Sequence, residues 1–248
     1  MTKIFSLEGK TVLITGASSG IGKAVAQECA TAGATCIITA RNAERLKQTF
    51  ESLSGEGHKM FIADLSDTNG IENLISILPK LNGIICCAGI VETKLLKFTE
   101  EMDLINLFNT NTFSCIRLVR TVLQNKLLLK ESSITFISSI SGVKCGYIGG
   151  SIYGASKGAI EGFTKATALE LAPQKIRVNT ILPGMIETSL LKDSNINQEQ
   201  LDLDKQRYPL KRYGKPEEIG YAAIYLQSDA TKWMTGSSLL IDGGYTLN

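Results

Sequence analysis

Tyr153 and Lys157 form the pair in this chain whose types and spacing most directly suggest acid–base chemistry. They lie four positions apart at the start of a predicted helix, so their side chains share one face of it. An unperturbed tyrosine, with a pKa of about 10, is a weak acid–base group at neutral pH. A nearby ammonium favours the phenolate, so we expect Lys157 to lower the pKa of Tyr153. The pair therefore predicts a general acid–base site.

A glycine-rich segment, TGASSGIG at residues 15–22, follows the first predicted strand and opens a helix of small and apolar residues. Gly16 permits a tight turn, Gly20 lets the backbone approach a pyrophosphate, and Gly22 allows the helix to pack closely on the sheet. The positive end of the helix dipole then receives the phosphate charge. An ordinary strand-to-helix turn is the alternative, but the position in the first βα unit favours a dinucleotide site.

The end of the second predicted strand indicates which dinucleotide binds. An acidic residue about 20 positions after the glycines holds the ribose 2′-hydroxyl of NAD, whereas an arginine accepts the 2′-phosphate of NADP. This strand ends at Arg41 and Asn42, without an acidic residue. A guanidinium suits a phosphate, and Ser18 and Ser19 offer hydroxyls to the same group. We expect NADP(H) rather than NAD(H), unless Arg41 is simply a solvated surface residue.

Short β-branched segments alternate with longer helical patterns along the chain, which is typical of repeated βαβ units. No linker or repeat divides the chain, so we expect one domain. The pattern predicts an α/β fold with a doubly wound, parallel, seven-stranded sheet and helices on both faces. The predicted strands are 11–14, 35–39, 59–63, 84–87, 133–137, 177–181 and 239–241. The predicted helices are 21–31, 43–53, 68–78, 100–128, 153–171, 187–207 and 217–227.

Composition argues against several other classes of protein. The 248 residues carry 26 basic and 24 acidic side chains, a formal charge of +2, which gives no reason to expect a nucleic acid partner. No apolar stretch reaches the roughly 18 residues that a membrane helix needs, and residues 1–10 do not resemble a secretion signal. The six cysteines form no CxxC pair, and the one histidine belongs to no cluster. We therefore expect no metal, no hydrolase triad and a reducing cytoplasmic setting.

Taken in order, these motifs resemble those of the short-chain dehydrogenase/reductase family over nearly the whole chain. The resemblance implies one NAD(P)-binding Rossmann-like domain over residues 1–248. The glycine turn is similar to the family's TGxxxGxG segment, and residues 153–157 to its YxxxK pair. The further matches are Ser139 to the active-site serine, Asn111 to the helix asparagine, Asp64-Leu65 to the adenine-contacting pair, PGMIET at 183–188 to PGxxxT, and IDGG at 241–244 to the C-terminal signature.

The resemblance implies a hydride transfer between a nicotinamide and a carbonyl carbon. Tyr153 would give its proton to the carbonyl oxygen as general acid, and Ser139 would hydrogen-bond the same oxygen. Lys157 would lower the tyrosine pKa and hold the nicotinamide ribose. Asn111 would position a water that links Lys157 to solvent.

A larger set of residues would hold the cofactor by the same resemblance. Ile186 and Thr188 would contact the carboxamide and so fix the face of the nicotinamide. The full set comprises Gly16, Ser18, Ser19, Gly20, Ile21, Gly22, Arg41, Asn42, Asp64, Leu65, Ala88, Gly89, Tyr153, Lys157, Pro183, Gly184, Ile186 and Thr188.

One segment departs from the family pattern. The family usually has NNAG after the fourth strand, and this chain has Cys86-Cys87-Ala88-Gly89. Thiols are poor hydrogen-bonding groups, which puts in doubt the network that an asparagine supplies to the neighbouring backbone. Because adjacent strand side chains point to opposite faces, a shared catalytic or metal-binding role for the two thiols is not expected.

The family builds its substrate pocket from the segments 140–152 and 187–209. These offer mostly small and apolar groups, which suit an uncharged carbonyl on an apolar chain: Val143, Gly146, Tyr147, Ile148, Gly149, Gly150, Met185, Leu190 and Leu191. Within the family the chain looks most like 3-oxoacyl-acyl carrier protein reductases, and also like sugar alcohol and hydroxysteroid enzymes. An acidic carrier protein would need basic residues at the pocket mouth, with Lys126, Lys130 and Lys175 as candidates, although isolated surface lysines usually just solvate the surface.

Family resemblance also implies a homotetramer. A small apolar stripe on the predicted helix 153–171 agrees with this, although core packing explains it equally well: Ala155, Ala159, Phe163 and Ala166. Two other functions stay open. One is a dinucleotide-sensing protein without turnover. The other is a nucleotide-sugar epimerase or dehydratase, for which the chain looks short.

Overall fold

The computed structural model describes residues 3–188 and 197–247 of the chain. Seven strands form one sheet in the order β3-β2-β1-β4-β5-β6-β7, and each neighbouring pair is parallel. The predicted doubly wound parallel sheet is therefore confirmed. The strands are β1 Thr11–Thr15, β2 Thr35–Ala40, β3 Lys59–Ile62, β4 Leu81–Cys86, β5 Leu128–Ile137, β6 Arg177–Pro183 and β7 Ser238–Ile241.

Helices cover both faces of the sheet, as predicted. The apolar residues of β1 show how the sequence builds the two layers: Val12 and Ile14 pack in one buried cluster and Leu13 in the other. A strand buried on both faces reads as a continuous apolar run. The helices are α1 Gly20–Thr31, α2 Ala43–Glu51, α3 Thr68–Ile77, α4 Glu101–Phe108, α5 Ser114–Gln124, α6 Ser151–Leu171, α7 Gln198–Lys205 and α8 Pro216–Gln227. None of the helices in the described part of the chain is long and apolar enough to cross a membrane.

The predicted helix 100–128 is wrong in two respects. A π-helical turn, Asn109–Phe113, separates α4 from α5, and α5 ends at Gln124. Lys126 then has a φ of 52°, in the left-handed region where a right-handed helix cannot continue. The following leucines look like more helix in the sequence, but Leu128 begins β5.

The predicted helix 187–207 is shorter in the structure. Glu187 and Thr188 are not helical, and α7 covers only Gln198–Lys205. Residues 189–196 lie outside the described residues. Strand boundaries moved as well. β4 begins at Leu81 and ends at Cys86, so Cys87 follows the strand, and β5 begins at Leu128 rather than at Ser133.

The strand order places a crevice at the carboxyl ends of the strands. β1 lies between β2 and β4, and the chain reverses its direction of winding at this point. Ligands of doubly wound sheets bind in the crevice outside such a switch point. Residues from five loops meet there, because each follows the carboxyl end of a strand: Gly16 after β1, Arg41 after β2, Ala88 after β4, Ser139 after β5 and Gly184 after β6.

Candidate active site

A cleft of about 990 Å³ runs along the carboxyl ends of the strands. All residues that the sequence predicted for the dinucleotide line this cleft, from the glycine turn to Thr188. Ser139, Tyr153 and Lys157 also line it, whereas Asn111 lies behind the wall with 2% of its surface exposed. The structure therefore brings the predicted binding and acid–base residues into one site.

The glycine turn is so closely packed that side chains do not fit at two positions. Gly16 has a φ of +66°, and a Cβ atom there would lie 2.7 Å from both the N and the Cα of Ala88. A Cβ atom on Gly22 would lie 2.2 Å from the carbonyl oxygen of Gly16. The backbone of the turn thus lies directly against the loop after β4, and this contact forms the floor of the cleft.

The first turn of α1 faces the cleft with backbone N–H groups. Ser19 is the N-cap of this helix, in an extended conformation, and its side chain makes no capping hydrogen bond. Gly20, Ile21 and Gly22, which open the helix, all line the cleft. An anion such as a pyrophosphate is stabilised at this kind of helix end.

Two arginines stand at the end of the cleft next to β2. Arg41 and Arg45 both line it, and Arg41 Nη1 lies 4.0 Å from Asp64 Oδ2. Asn42 accepts a hydrogen bond from the Arg45 backbone N–H at 2.9 Å and so caps α2. The sequence interpretation missed Arg45. Asn42 could have indicated it: an N-cap at Asn42 starts α2 directly after Arg41, so Arg45 lies in the first turn of this helix, beside Arg41.

The Asp64 carboxylate is organised by its own loop. Burial acts to raise the pKa of Asp64, but hydrogen bonds from the Ser66 side chain and backbone and the charge of Arg41 outweigh it, so the pKa is lowered. Asp64 Oδ1 accepts from Ser66 Oγ at 2.6 Å and from Ser66 N at 2.9 Å. The carboxylate is therefore ionised and held at the cleft wall.

Ser139 and Tyr153 come together from two different elements, the end of β5 and the first turn of α6. The Ser139 side chain acts on the Tyr153 phenol as a hydrogen-bond partner, and Ser139 Oγ accepts from the Ser141 backbone N–H at 3.0 Å. Burial raises the pKa of Tyr153 above its ordinary value, while the hydrogen bond with Ser139 acts in the opposite direction. Two hydroxyls thus converge at one point of the cleft.

Lys157 is buried, with 6% of its surface exposed. Its Nζ atom donates to the carbonyl oxygen of Ile137 at 2.9 Å and lies 6.0 Å from the centroid of the Tyr153 ring. Burial lowers the pKa of Lys157. In this structure burial of the phenol raises the pKa of Tyr153, and the ammonium of Lys157 donates to a backbone carbonyl, so the lowering by Lys157 stays a prediction.

Asn111 connects the π-helical turn to the loop after β4. Its Oδ1 accepts from the Ile90 N–H at 2.8 Å, and its Nδ2 donates to the Ile90 carbonyl at 3.0 Å and to Ser156 Oγ at 3.1 Å. A Cβ atom on Gly89 would lie 3.3 Å from both Asn111 Oδ1 and Lys157 Nζ. Asn111 therefore fixes the loop, and the absence of a side chain at Gly89 leaves room beside the lysine.

Thr15 supplies the backbone network that the Cys86-Cys87 replacement had put in doubt. Its Oγ1 accepts hydrogen bonds from the backbone N–H of Cys87 at 3.1 Å and of Ala88 at 3.2 Å. The thiols point to opposite faces, as predicted, since Cys86 belongs to one buried cluster and Cys87 packs against the other. Burial raises the pKa of Cys87 to about 12, so this thiol stays protonated at neutral pH.

The substrate half of the cleft is more polar than the sequence predicted. Of the predicted pocket residues, Gly146, Tyr147 and Met185 line it, and Leu190 and Leu191 lie outside the described residues. Val143, Ile148, Gly149 and Gly150 are not among the described lining residues. Polar and aromatic side chains from α7, the following loop and the C-terminal segment line it instead: Asp204, Arg207, Tyr208, Tyr213 and Tyr245.

These polar residues are joined by hydrogen bonds. Arg207 Nη1 lies 3.1 Å from Asp204 Oδ1, and Nη2 donates to the Tyr245 hydroxyl at 2.6 Å. The Tyr213 hydroxyl donates to Asp204 Oδ2 at 3.0 Å. The sequence alone does not reveal this cluster, because residues 204–213 and residue 245 come together only in the folded chain.

The three lysines predicted at the pocket mouth lie elsewhere. Lys126 and Lys130 are near the amino end of β5, and Lys175 precedes β6. In a parallel sheet the amino ends form the edge opposite the carboxyl ends, where the cleft lies. None of the three is among the described residues that line the cleft, so their prediction as pocket-mouth residues is wrong for this protomer.

The doubly wound sheet, the glycine turn and the serine, tyrosine and lysine at one cleft together define an α/β oxidoreductase. A family model described as "Enoyl-(Acyl carrier protein) reductase" matches residues 16–246. A 3-oxoacyl-[acyl-carrier-protein] reductase of Homo sapiens is 34% identical over 242 residues, which are 96% of this chain and 98% of the relative. One of Thermotoga maritima is 34% identical over 248 residues, covering 97% and 99%.

Solved structures agree with these relatives. A short-chain type dehydrogenase/reductase from Mycobacterium marinum superposes with a TM-score of 0.89 at 33% identity, covering 99% of this chain and 98% of that one. The chain belongs to the short-chain dehydrogenase/reductase family. It is accordingly an oxidoreductase that acts on CH–OH groups or the corresponding carbonyls.

We expect Gly22→Ala to weaken dinucleotide binding by about five- to 150-fold, because an overpacked methyl group costs about 1–3 kcal/mol or forces the turn to move. Titration with NADPH, followed by its fluorescence, measures the dissociation constant. Tyr221→Phe is the control, since its side chain is exposed on α8 and is not among the described residues that line the cleft. Equal affinity of the Gly22→Ala variant and the wild type would contradict the role of this contact.

Proposed function

We propose that this protein reduces the ketone of a 3-oxoacyl thioester, or a similar ketone, to a secondary alcohol with NADPH. The pair of hydroxyl groups from Ser139 and Tyr153 carries this proposal, since two hydrogen-bond donors at one point suit a single carbonyl oxygen. The names of the relatives, 3-oxoacyl-[acyl-carrier-protein] reductases, support the thioester.

The cleft fits a nicotinamide dinucleotide along its whole length. Its closely packed glycine turn and the N-terminus of α1 suit the pyrophosphate, and Gly89 leaves room beside Lys157. When bound, the cofactor supplies the hydride that reaches the carbonyl carbon. Lys157 holds the nicotinamide ribose, and Ile186 and Thr188 hold the carboxamide.

The protonation state of Tyr153 suits reduction. Its raised pKa keeps the phenol protonated at neutral pH, so the phenol donates its proton to the carbonyl oxygen as negative charge develops there. Ser139 donates a second hydrogen bond to the same oxygen. Asn111 orders the loop beside Lys157, and a water held there returns a proton to the tyrosine.

NADP(H) is favoured over NAD(H) by charge at the β2 end of the cleft. Arg41 and Arg45 both line this end, and two guanidiniums suit a 2′-phosphate. The end of β2 carries no carboxylate to hold a ribose 2′-hydroxyl. Asp64, the nearest acidic side chain recorded there, is paired with Arg41 and contacts the adenine side.

A second candidate substrate is a more polar ketone, such as a sugar. The hydrogen-bonded cluster of Asp204, Arg207, Tyr213 and Tyr245 favours it, because hydroxyl groups of a substrate find both donors and acceptors there. A sensing role without turnover is disfavoured, since a sensor needs no hydrogen-bonded serine–tyrosine pair.

We further propose that residues 1–248 form one domain that assembles into a homotetramer. Ala155, Ala159 and Ala166 are exposed on α6 in the protomer, so core packing does not explain this part of the stripe. Phe163, in contrast, is partly buried and packs against Phe136. Contiguous exposed apolar groups on a helix suit contact with a second subunit.

The decisive experiment is the NADPH-dependent reduction of an acetoacetyl thioester. We expect turnover by the wild type and a loss of about 10²–10⁴-fold in kcat for Tyr153→Phe, the range that general acid catalysis contributes. Tyr221→Phe, on the exposed face of α8, serves as the control. A crotonyl thioester and a ketose are assayed in parallel. Turnover of the crotonyl thioester alone, or an unimpaired Tyr153→Phe variant, would overturn the proposal.

The pH dependence of the reverse reaction tests the serine–tyrosine bond. Oxidation of a 3-hydroxyacyl thioester needs the phenolate, so its rate rises with pH toward the raised pKa of Tyr153. Ser139→Ala removes the bond that lowers this pKa, so we expect the residual oxidation to need a still higher pH. A pH–rate profile of Ser139→Ala that coincides with that of the wild type, or that is shifted to lower pH, would contradict this expectation.

The cofactor preference is tested by replacing the two arginines. We expect Arg41→Ala and Arg45→Ala each to weaken NADPH binding by about tenfold, since a hydrogen bond to a charged group contributes about 1.5–3 kcal/mol. NADH binding should stay within about twofold, because NADH lacks the 2′-phosphate. Calorimetric dissociation constants for both cofactors give the comparison. An equal loss of affinity for NADPH and NADH would contradict the assignment of Arg41 and Arg45 to the 2′-phosphate.

A further inference from the structure

Tyr147 is a second phenol in the substrate half of the cleft, and the proposed reaction leaves it without a role. It lies on the segment between β5 and α6, and 40% of its surface is exposed. It lines the same cleft as Tyr153. Negative charge on Tyr153 would act to raise the pKa of Tyr147, which places the two phenols in the same part of the site.

The ring of Tyr147 is held against the start of the helix that carries Tyr153. A Cβ atom on Gly150 would lie 2.4 Å from both Cε1 and Cζ of Tyr147, so the ring lies on bare backbone. The Gly150 N–H also donates to the Tyr147 carbonyl at 3.0 Å. Since Gly150 is the N-cap of α6, the ring keeps a fixed place relative to Tyr153.

The hydroxyl of Tyr147 is fixed from the other wall of the cleft. It is hydrogen-bonded by the Thr93 side chain, and Thr93 also lines the cleft. The Lys94 N–H donates to the Gly149 carbonyl at 3.0 Å, which ties the Thr93 segment to the Tyr147 segment. Burial raises the pKa of Tyr147 above its ordinary value, while the contact with the Thr93 side chain acts in the opposite direction. The phenol proton therefore stays available to a substrate.

We propose that Tyr147 donates a hydrogen bond to a second oxygen of the substrate, and that Thr93 positions the phenol for this. The inference rests on the proposed ketone reduction. The ligand class is a ketone with a further acceptor oxygen close by, as in the 1,3-dicarbonyl arrangement of a 3-oxoacyl thioester. Ser139 and Tyr153 hold the reacting oxygen, and Tyr147 holds the thioester oxygen, so the carbonyl carbon is oriented by contacts at both oxygens.

Steady-state kinetics with an acetoacetyl thioester test this. Tyr147→Phe keeps the ring and removes only the hydroxyl, so we expect KM to rise about tenfold with kcat within about twofold, the pattern of a lost binding contact. Thr93→Val keeps the size of the side chain and should raise KM about threefold. Tyr221→Phe is the control and should match the wild type. An unchanged KM for Tyr147→Phe, or a loss confined to kcat, overturns the inference.

A binding measurement separates this inference from the proposed reaction. The product, a 3-hydroxybutyryl thioester, is titrated by calorimetry into wild type and Tyr147→Phe, each loaded with NADPH, which cannot accept a hydride from it. We expect the dissociation constant to rise about tenfold in the variant. Equal dissociation constants overturn the role of Tyr147, even where the wild type reduces ketones. A wild type without turnover overturns the proposed function, and the binding comparison then still decides the inference.

Discussion

The approach of the glycine turn to the loop after β4 is the contact on which the rest of the site depends. Gly16 lies so close to Ala88 that a side chain does not fit, and Thr15 holds the backbone of Cys87 and Ala88 through its hydroxyl. This contact joins β1 to β4 across the switch point, where the cleft opens. Thr15 holds this backbone even though Cys86 and Cys87 stand where the family usually has asparagines.

Desolvation is the second constraint, and it acts on both side chains of the acid–base pair. Burial raises the pKa of Tyr153 and lowers that of Lys157, so both neutral forms are favoured relative to water. The bond from Ser139 opposes this for the tyrosine. A protonated phenol at neutral pH is the form that a carbonyl reduction consumes, whereas alcohol oxidation needs the phenolate.

Much of the fold and the cofactor side of the site could be predicted from the sequence, because local patterns carry them. Apolar strands, helix periodicity and the glycine spacing are all readable within one βα unit. The π-helical turn at Asn109–Phe113 could not be predicted, since nothing in the residues of the helix marks it. The polar cluster around Arg207 and the position of Tyr147 depend on contacts between segments that are distant in the sequence. The sequence led us to expect a lowered pKa for Tyr153, because a sequence pattern does not show how far a side chain is desolvated.

Hydride transfer to a carbonyl carbon is the central claim, and isotope tracing tests it most directly. The wild type is incubated with an acetoacetyl thioester and NADPH that carries deuterium at both hydrogen positions of the nicotinamide C4, and the product is analysed by nuclear magnetic resonance. We expect one deuterium on C3 of the 3-hydroxybutyryl product, with the hydroxyl proton taken from solvent. Deuterium at any other carbon, or a product without deuterium, would contradict the account.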